Sequence, residues 1–148
     1  MPKKQHMSEL KDVGAIQHAD DDYWYRPLVF GDKLFTYVAH IRSGAYMAPD
    51  AEEAELFELS LYMLEGELLI YYGEETFTIT PHTALFIPRG VAFGVRNETD
   101  ETATYILTFT PPPGQGSMDE FWATVRNPEK RVKTPDQIRK MIGKPDKY

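Results

Sequence analysis

The side chains best suited to chemistry are a run of carboxylates, Glu52, Glu53, Glu55 and Glu58, and one histidine in a strand-like segment, His40. Two neighbouring carboxylates can hold a hard cation such as manganese or magnesium, with water completing its shell. A single carboxylate or imidazole of tuned acidity can instead move a proton. Against both stands the plainer reading, in which the acidic run is a solvated loop entering a strand and His40 is a hydrogen-bonded structural residue. Arg42, Arg89 and Arg96 could attract an anion, but Arg89 lies in a turn and Arg96 on the strand face opposite Phe93. His6 and His18 fall in a polar N-terminal stretch and take no role.

Composition narrows the classes. With no cysteine, the chain has no thiol nucleophile, thiolate metal site or disulfide. Lys and Arg number 16 against 23 Asp and Glu, a formal charge of −7, which argues against nucleic acid as a partner, since counterion release cannot drive such binding. No apolar run approaches the roughly 18 residues of a membrane span, and the N-terminus has no apolar signal core. A soluble cytoplasmic protein without a membrane partner is expected. The 148 residues fit one domain.

The elements that must position these side chains are strands. From 34 to 110, short β-favouring runs alternate with turn residues, as in a sandwich or barrel. Phe57, Leu59, Leu61 and Met63 alternate with Glu58, Ser60 and Tyr62, so one face is apolar. The same period places Val91, Phe93 and Val95 on one face, and Tyr105, Leu107 and Phe109 on another. No helix is expected between 34 and 110. After Pro111 to Gly114 the signals turn helical: Ser117 with Glu120, then Thr134, Pro135 and Gln137, each open a short helix, and Gly143 closes the second. The expected organisation is a polar mobile arm over 1–22, an all-β barrel over 23–114 and a helical extension over 115–148. Tyr23, Trp24 and Tyr25 suggest a dimer or barrel-edge contact.

Residues 34 to 110 resemble the cupin superfamily, small jelly-roll barrels of the double-stranded β-helix type. Tyr62 to Gly66 matches the end of the family's first motif, and Pro88, Gly90 and Asn97 fall at the spacing of its second. That resemblance implies a divalent metal held by three histidines and a glutamate. Here Leu59 stands at the glutamate position and Phe93 at the last histidine. The His-x-His pair falls on Glu53 and Glu55, or on Glu52 and Ala54, while His82 takes a turn position occupied by glycine in the family. Leucine and phenylalanine offer no lone pair to a metal, so no metal or other cofactor is expected.

Two readings of the barrel interior stay open. In one, Phe57, Leu59, Leu61, Met63, Phe93, Val95, Tyr105 and Leu107 line a dry pocket for an apolar or aromatic small molecule, oriented by His40, Glu53, Glu55 and Tyr105. In the other they fill the barrel as packed core. Tyr46 and Met47 lie where the family's pocket rim would be. The function expected first is therefore metal-free small-molecule binding by a homodimer. The alternatives are an isomerase-, lyase-, cyclase- or dioxygenase-like enzyme using Glu53, Glu55 or His40, and a structural dimer with a filled barrel.

Overall fold

The period-two pattern becomes two facing antiparallel sheets in a computed structural model that describes residues 7–148. The larger sheet runs, in spatial order, β11 (Val132–Lys133), β1 (Ala15–His18), β2 (Asp20–Phe30), β3 (Phe35–Ile41), β10 (Ala103–Thr110), β5 (Glu58–Glu65) and β8 (Ala84–Ile87). The smaller runs β4 (Tyr46–Met47), β9 (Phe93–Arg96), β6 (Leu68–Tyr72) and β7 (Glu75–Ile79). This is the jelly-roll barrel that the alternation predicts.

Register decides which side chains face inward. Tyr105 of β10 lies opposite Ala39 of β3 and Met63 of β5, so all three belong to the inner row. Trp24, His40 and Thr104 are also in register across β2, β3 and β10, and they form the outer row. The outer row is buried as well, because a third layer covers it. In α4 (Pro135–Met141), the Thr134 side chain accepts from the Gln137 backbone and the Gln137 side chain accepts from the Thr134 N–H, a complete capping box. Ile138 of α4 and the adjoining Ile142 then pack on Ala15 and Trp24. At one open end of the barrel α2 (Met118–Ala123), capped by Ser117, brings Phe121 onto Phe35 with ring centroids 5.0 Å apart. A four-residue turn, α3 (Pro128–Arg131), links the two.

Three expectations need correction. The stretch expected as an arm is, from Ala15 onward, strand: Ala15 and Ile16 are fully buried, and β1 pairs with β2 and with the distant β11. An apolar pair inside a polar segment was too short to read as a strand, and its partner Lys133 lies far along the chain. Residues 1–6 of that arm lie outside the described residues. Second, the 34–110 segment does contain a helical turn, α1 (Ala51–Ala54). Third, Tyr23, Trp24 and Tyr25 do not form an outward-facing contact surface. Tyr23 is inside the barrel, Trp24 lies under α4, and Tyr25 borders a cavity described below.

Close backbone approach requires glycine at the turn after β5. Gly66, at the turn from β5 to β6, has φ +79° and lies so close to β10 that a Cβ would stand 2.7 Å from the Ala103 Cα. Asn97 pins the turn before β10: its amide donates to the Ile41 and Glu101 carbonyls at 2.8 and 2.7 Å, and its Oδ1 accepts from the Thr99 backbone at 2.9 Å.

Candidate functional site

The barrel is solid at one end and hollow at the other. In the solid half, Leu61, Met63, Ile70, Val95 and Ile87 are wholly buried around three tyrosines. Tyr23 sits between Tyr37 and Tyr105, its hydroxyl 2.9 Å from that of Tyr37 and in direct hydrogen bond with that of Tyr105. Burial pushes all three phenols well above their ordinary pKa, with mutual interactions adding to it. They are neutral donors and acceptors; Tyr23 and Tyr105 lie in the floor of the hollow half and Tyr37 extends from it into the wall.

Above this floor lies a cavity of about 190 Å³. Strand ends supply its walls: Phe35 and Tyr37 from β3, Leu59 from β5, Phe93 from β9, and Leu107 and Phe109 from β10. Met47 and Val91 close one side, while His18 and Tyr25 border another. Phe121 of α2 and Pro113 reach over from the C-terminal segment. Period-two geometry explains the division, since along each inward row the residues toward the open end face the cavity and those further in lie in the floor or core. Thus Leu107 lines the cavity and Tyr105 the floor; Phe93 and Val95 divide in the same way.

The carboxylates come from α1 and its cap. Asp50 caps this turn, its Oδ1 accepting from the Glu52 and Glu53 backbone at 2.9 and 3.2 Å. The Ala54 carbonyl accepts from Gly90 N–H at 2.8 Å, which fastens the turn to the loop before β9. Asp50, Glu53, Ala54 and Phe57 therefore border the cavity. Partial burial raises the Glu53 pKa, and the nearby Asp50 carboxylate raises it further. His18 is held low by burial and by Arg131, so its ring is neutral at pH 7. Tyr25 is pushed up to about 12 by burial.

Of the residues expected to form one pocket, Glu53, Phe57, Leu59, Phe93 and Leu107 come together here. Leu61, Met63, Val95 and Tyr105 are floor and core instead. Packed side chains fill one half of the barrel interior and a cavity occupies the other. Glu55 is exposed beside the Gly90 turn, outside the cavity lining. His40 faces the outer side of the sheet, so it cannot orient a ligand in the cavity. Its Nδ1 is 2.9 Å from Thr104 Oγ1 and its Nε2 3.3 Å from Arg26 Nη1. Arginine can only donate, so Nε2 accepts and Nδ1 carries the proton. Arg26 also donates to the Val13 and Leu10 carbonyls at 3.0 and 2.5 Å. This arrangement locks the N-terminal segment to the sheet, and burial together with Arg26 holds the His40 pKa down to about 3.

Sequence reasoning missed Asp50, Tyr25, His18 and the aromatic residues Phe35, Tyr37, Phe109 and Phe121 as wall. Two of these carried a signal: Phe109 shares the face of Leu107, and Pro49 with Asp50 before two glutamates is a helix-start pattern. Nothing local marks His18.

A divalent metal does not fit the donor set. His18, Asp50 and Glu53 border the cavity but do not converge, and among the described residues no three of His, Asp and Glu form a group able to hold an ion. Leu59 and Phe93 contribute carbon only. Among the described residues, too, no helix is long and apolar enough to cross a membrane.

Comparison with known proteins bears on the barrel. The family model described as "Cupin domain" matches residues 38–109. A polyketide cyclase, RemF, from Streptomyces resistomycificus superposes with TM-score 0.63 at 18% identity over 83% of this chain and 95% of that one. An RmlC-like cupin from Shewanella frigidimarina gives 0.59 at 20% identity, over 73% and 87% of the two chains. The Cnp3 cupin domain of Schizosaccharomyces pombe gives 0.57 at 17% identity; this match spans 64% of this chain and 62% of that one. No curated protein matches the sequence.

Proposed function

We propose, from the premise that this chain belongs to the cupin superfamily, that it binds a small and largely apolar molecule in the hollow half of its barrel without a resident metal. One observation carries the reading: carbon side chains, Leu59 and Phe93, stand where the family places metal ligands, and they face a cavity. A cavity of about 190 Å³ is of the size that takes one aromatic ring, because engineered apolar cavities of about 150 Å³ admit benzene. The likeness to a polyketide cyclase carries no substrate across, since identity of 18% speaks for the fold alone. The homodimer expectation loses its argument from Tyr23 to Tyr25, which are used inside the chain.

Glu53 favours a second reading, proton transfer to or from the bound molecule. It is the cavity-lining carboxylate whose pKa is raised, which brings a carboxylic acid nearer to neutral pH. Glu55 and His40 have no comparable position.

The test of binding is a thermal-shift and calorimetric screen of single-ring compounds against the wild type and Leu59→Trp, which fills the cavity. A ligand at one hundred times its Kd stabilises by about 2.7 kcal/mol, or a Tm rise of roughly 5–10 °C in a chain of this size. The expected result is a rise in the wild type and none in Leu59→Trp. No shift with any compound, or equal shifts in both proteins, overturns the reading.

A further inference from the structure

We infer that the ligand of this cavity is an organic cation, an amine or alkylammonium group carried on a single-ring or similarly sized apolar body. This rests on the binding function proposed above and names its ligand class. Three features of the lining lead to it. Tyrosine and phenylalanine supply seven of its sixteen residues. Asp50 and Glu53 add two carboxylates at the α1 side, and among the described residues neither lysine nor arginine lines the cavity. Aromatic rings attract a cation through the negative potential of their faces, and the attraction grows when water is excluded. Carboxylates complete the recognition by supplying the countercharge.

Electrostatics separate this ligand from its neutral and anionic counterparts. An anion would find no lysine or arginine among the described wall residues and would meet both carboxylates, a like-charge contact that disfavours binding. A neutral alcohol would gain the apolar contacts and little else. An ammonium group gains the apolar contacts, the ring faces and the carboxylates together, and it relieves the mutual crowding of Asp50 and Glu53. Among the described residues, Arg131 is the cation that perturbs cavity-lining groups, acting on His18 and Tyr25. It stands outside the lining and is held by the Gln17 carbonyl at 2.9 Å. The hydroxyls of the tyrosine floor are already engaged with one another. Of the three, Tyr37 borders the cavity and offers the cation its ring, and countercharge is left to α1.

The test compares three ligands of one shape in calorimetric titrations at pH 7: 2-phenylethylamine, 2-phenylethanol and 3-phenylpropionate. The amine should bind at least about tenfold tighter than the alcohol, and the carboxylate weakest. In Asp50→Asn/Glu53→Gln the cap is kept, because asparagine caps as well as aspartate, while both charges are removed. Amine affinity should fall about tenfold or more in this variant, with alcohol affinity within about twofold of the wild type. If the alcohol or the carboxylate binds as tightly as the amine, or the double variant leaves amine affinity unchanged, the cation assignment is overturned while the binding function stands. If none of the three binds and the broader screen is also silent, the binding function itself has failed.

Discussion

Deleting the Tyr23 hydroxyl is expected to cost more than deleting either neighbour, and more than deleting all three together. Tyr23 and Tyr105 are 0% exposed and Tyr37 is 7% exposed, so none of the phenols has bulk water to fall back on. Among the described residues no buried side-chain N or O atom lacks a hydrogen-bond partner, and this trio is satisfied largely through Tyr23. Tyr23→Phe removes the hydrogen-bond partner of both the Tyr37 and the Tyr105 hydroxyl, each at about 1–3 kcal/mol. Tyr37 borders the cavity and can recover a water there, which puts it at the low end; Tyr105 cannot. The sum is about 2–5 kcal/mol, or a Tm loss of roughly 5–15 °C. Tyr37→Phe leaves Tyr23 bonded to Tyr105, so it costs only about 0.5–1.5 kcal/mol. In the triple Phe variant nothing remains to be satisfied, and stability returns to within about 2 kcal/mol of the wild type. Urea melts at pH 7 on the four proteins decide the matter, with unchanged m-values as the check that the denatured state is the same. Equal losses for Tyr23→Phe and Tyr37→Phe, or a triple variant as weak as the summed singles, would refute the argument that connectivity sets the cost.

Two further outcomes test the outer layer and the turns. His40 has a folded pKa of about 3 against an unfolded 6.5, so the unfolded chain binds its proton first as pH falls. The stability from neutral His40 is fully present above pH 6.5 and drains away toward pH 3, at up to about 1.4 kcal/mol per pH unit. His18 shifts in the same direction. His40→Gln should flatten the dependence between pH 6.5 and 4.5, where carboxylates contribute least; an unchanged slope in urea melts would place the titration elsewhere. His82 adopts φ +66°, a left-handed conformation, at the turn where the family carries glycine. His82→Gly should therefore raise stability by about 0.5–1 kcal/mol, relief of backbone strain outweighing the added chain entropy, and a fall in the urea midpoint would contradict it.

How much of this was legible depended on whether the signal was local. The parities of β5, β9 and β10 were readable because each has one apolar and one mostly polar face. That of β3 was not: α4 and the N-terminal segment cover its outer side, so Val38 and His40 are as buried as Tyr37 and Ala39, and alternation vanishes. His40 was accordingly expected in the pocket and lies behind it. β1 owes its existence to pairing with β2 and β11, and Ala15 and Ile16 alone carry no strand period. The site was half legible for a related reason. Sequence named the inward row, but where along that row the barrel stops being solid depends on three tyrosines from three strands meeting at one point.

That meeting point ties the fold to the proposed chemistry. A barrel of this width can be filled by side chains throughout, in which case no ligand enters. Here the large tyrosines satisfy their hydroxyls with one another at mid-height, so no polar floor atom needs a metal, a water or a ligand to complete it. The rings on the walls above pack against one another, as Phe35 does on Phe109 and Phe121, and together they border the cavity beside the carboxylates of α1. The acidic character of the site is set by a single helical turn, held through the Asp50 cap and the bond from Gly90 to Ala54. It follows that ligand class should respond to changes on α1 and ligand size to changes at Leu59, Phe93 and Leu107. The two properties should vary independently, because the groups that set them lie on different elements.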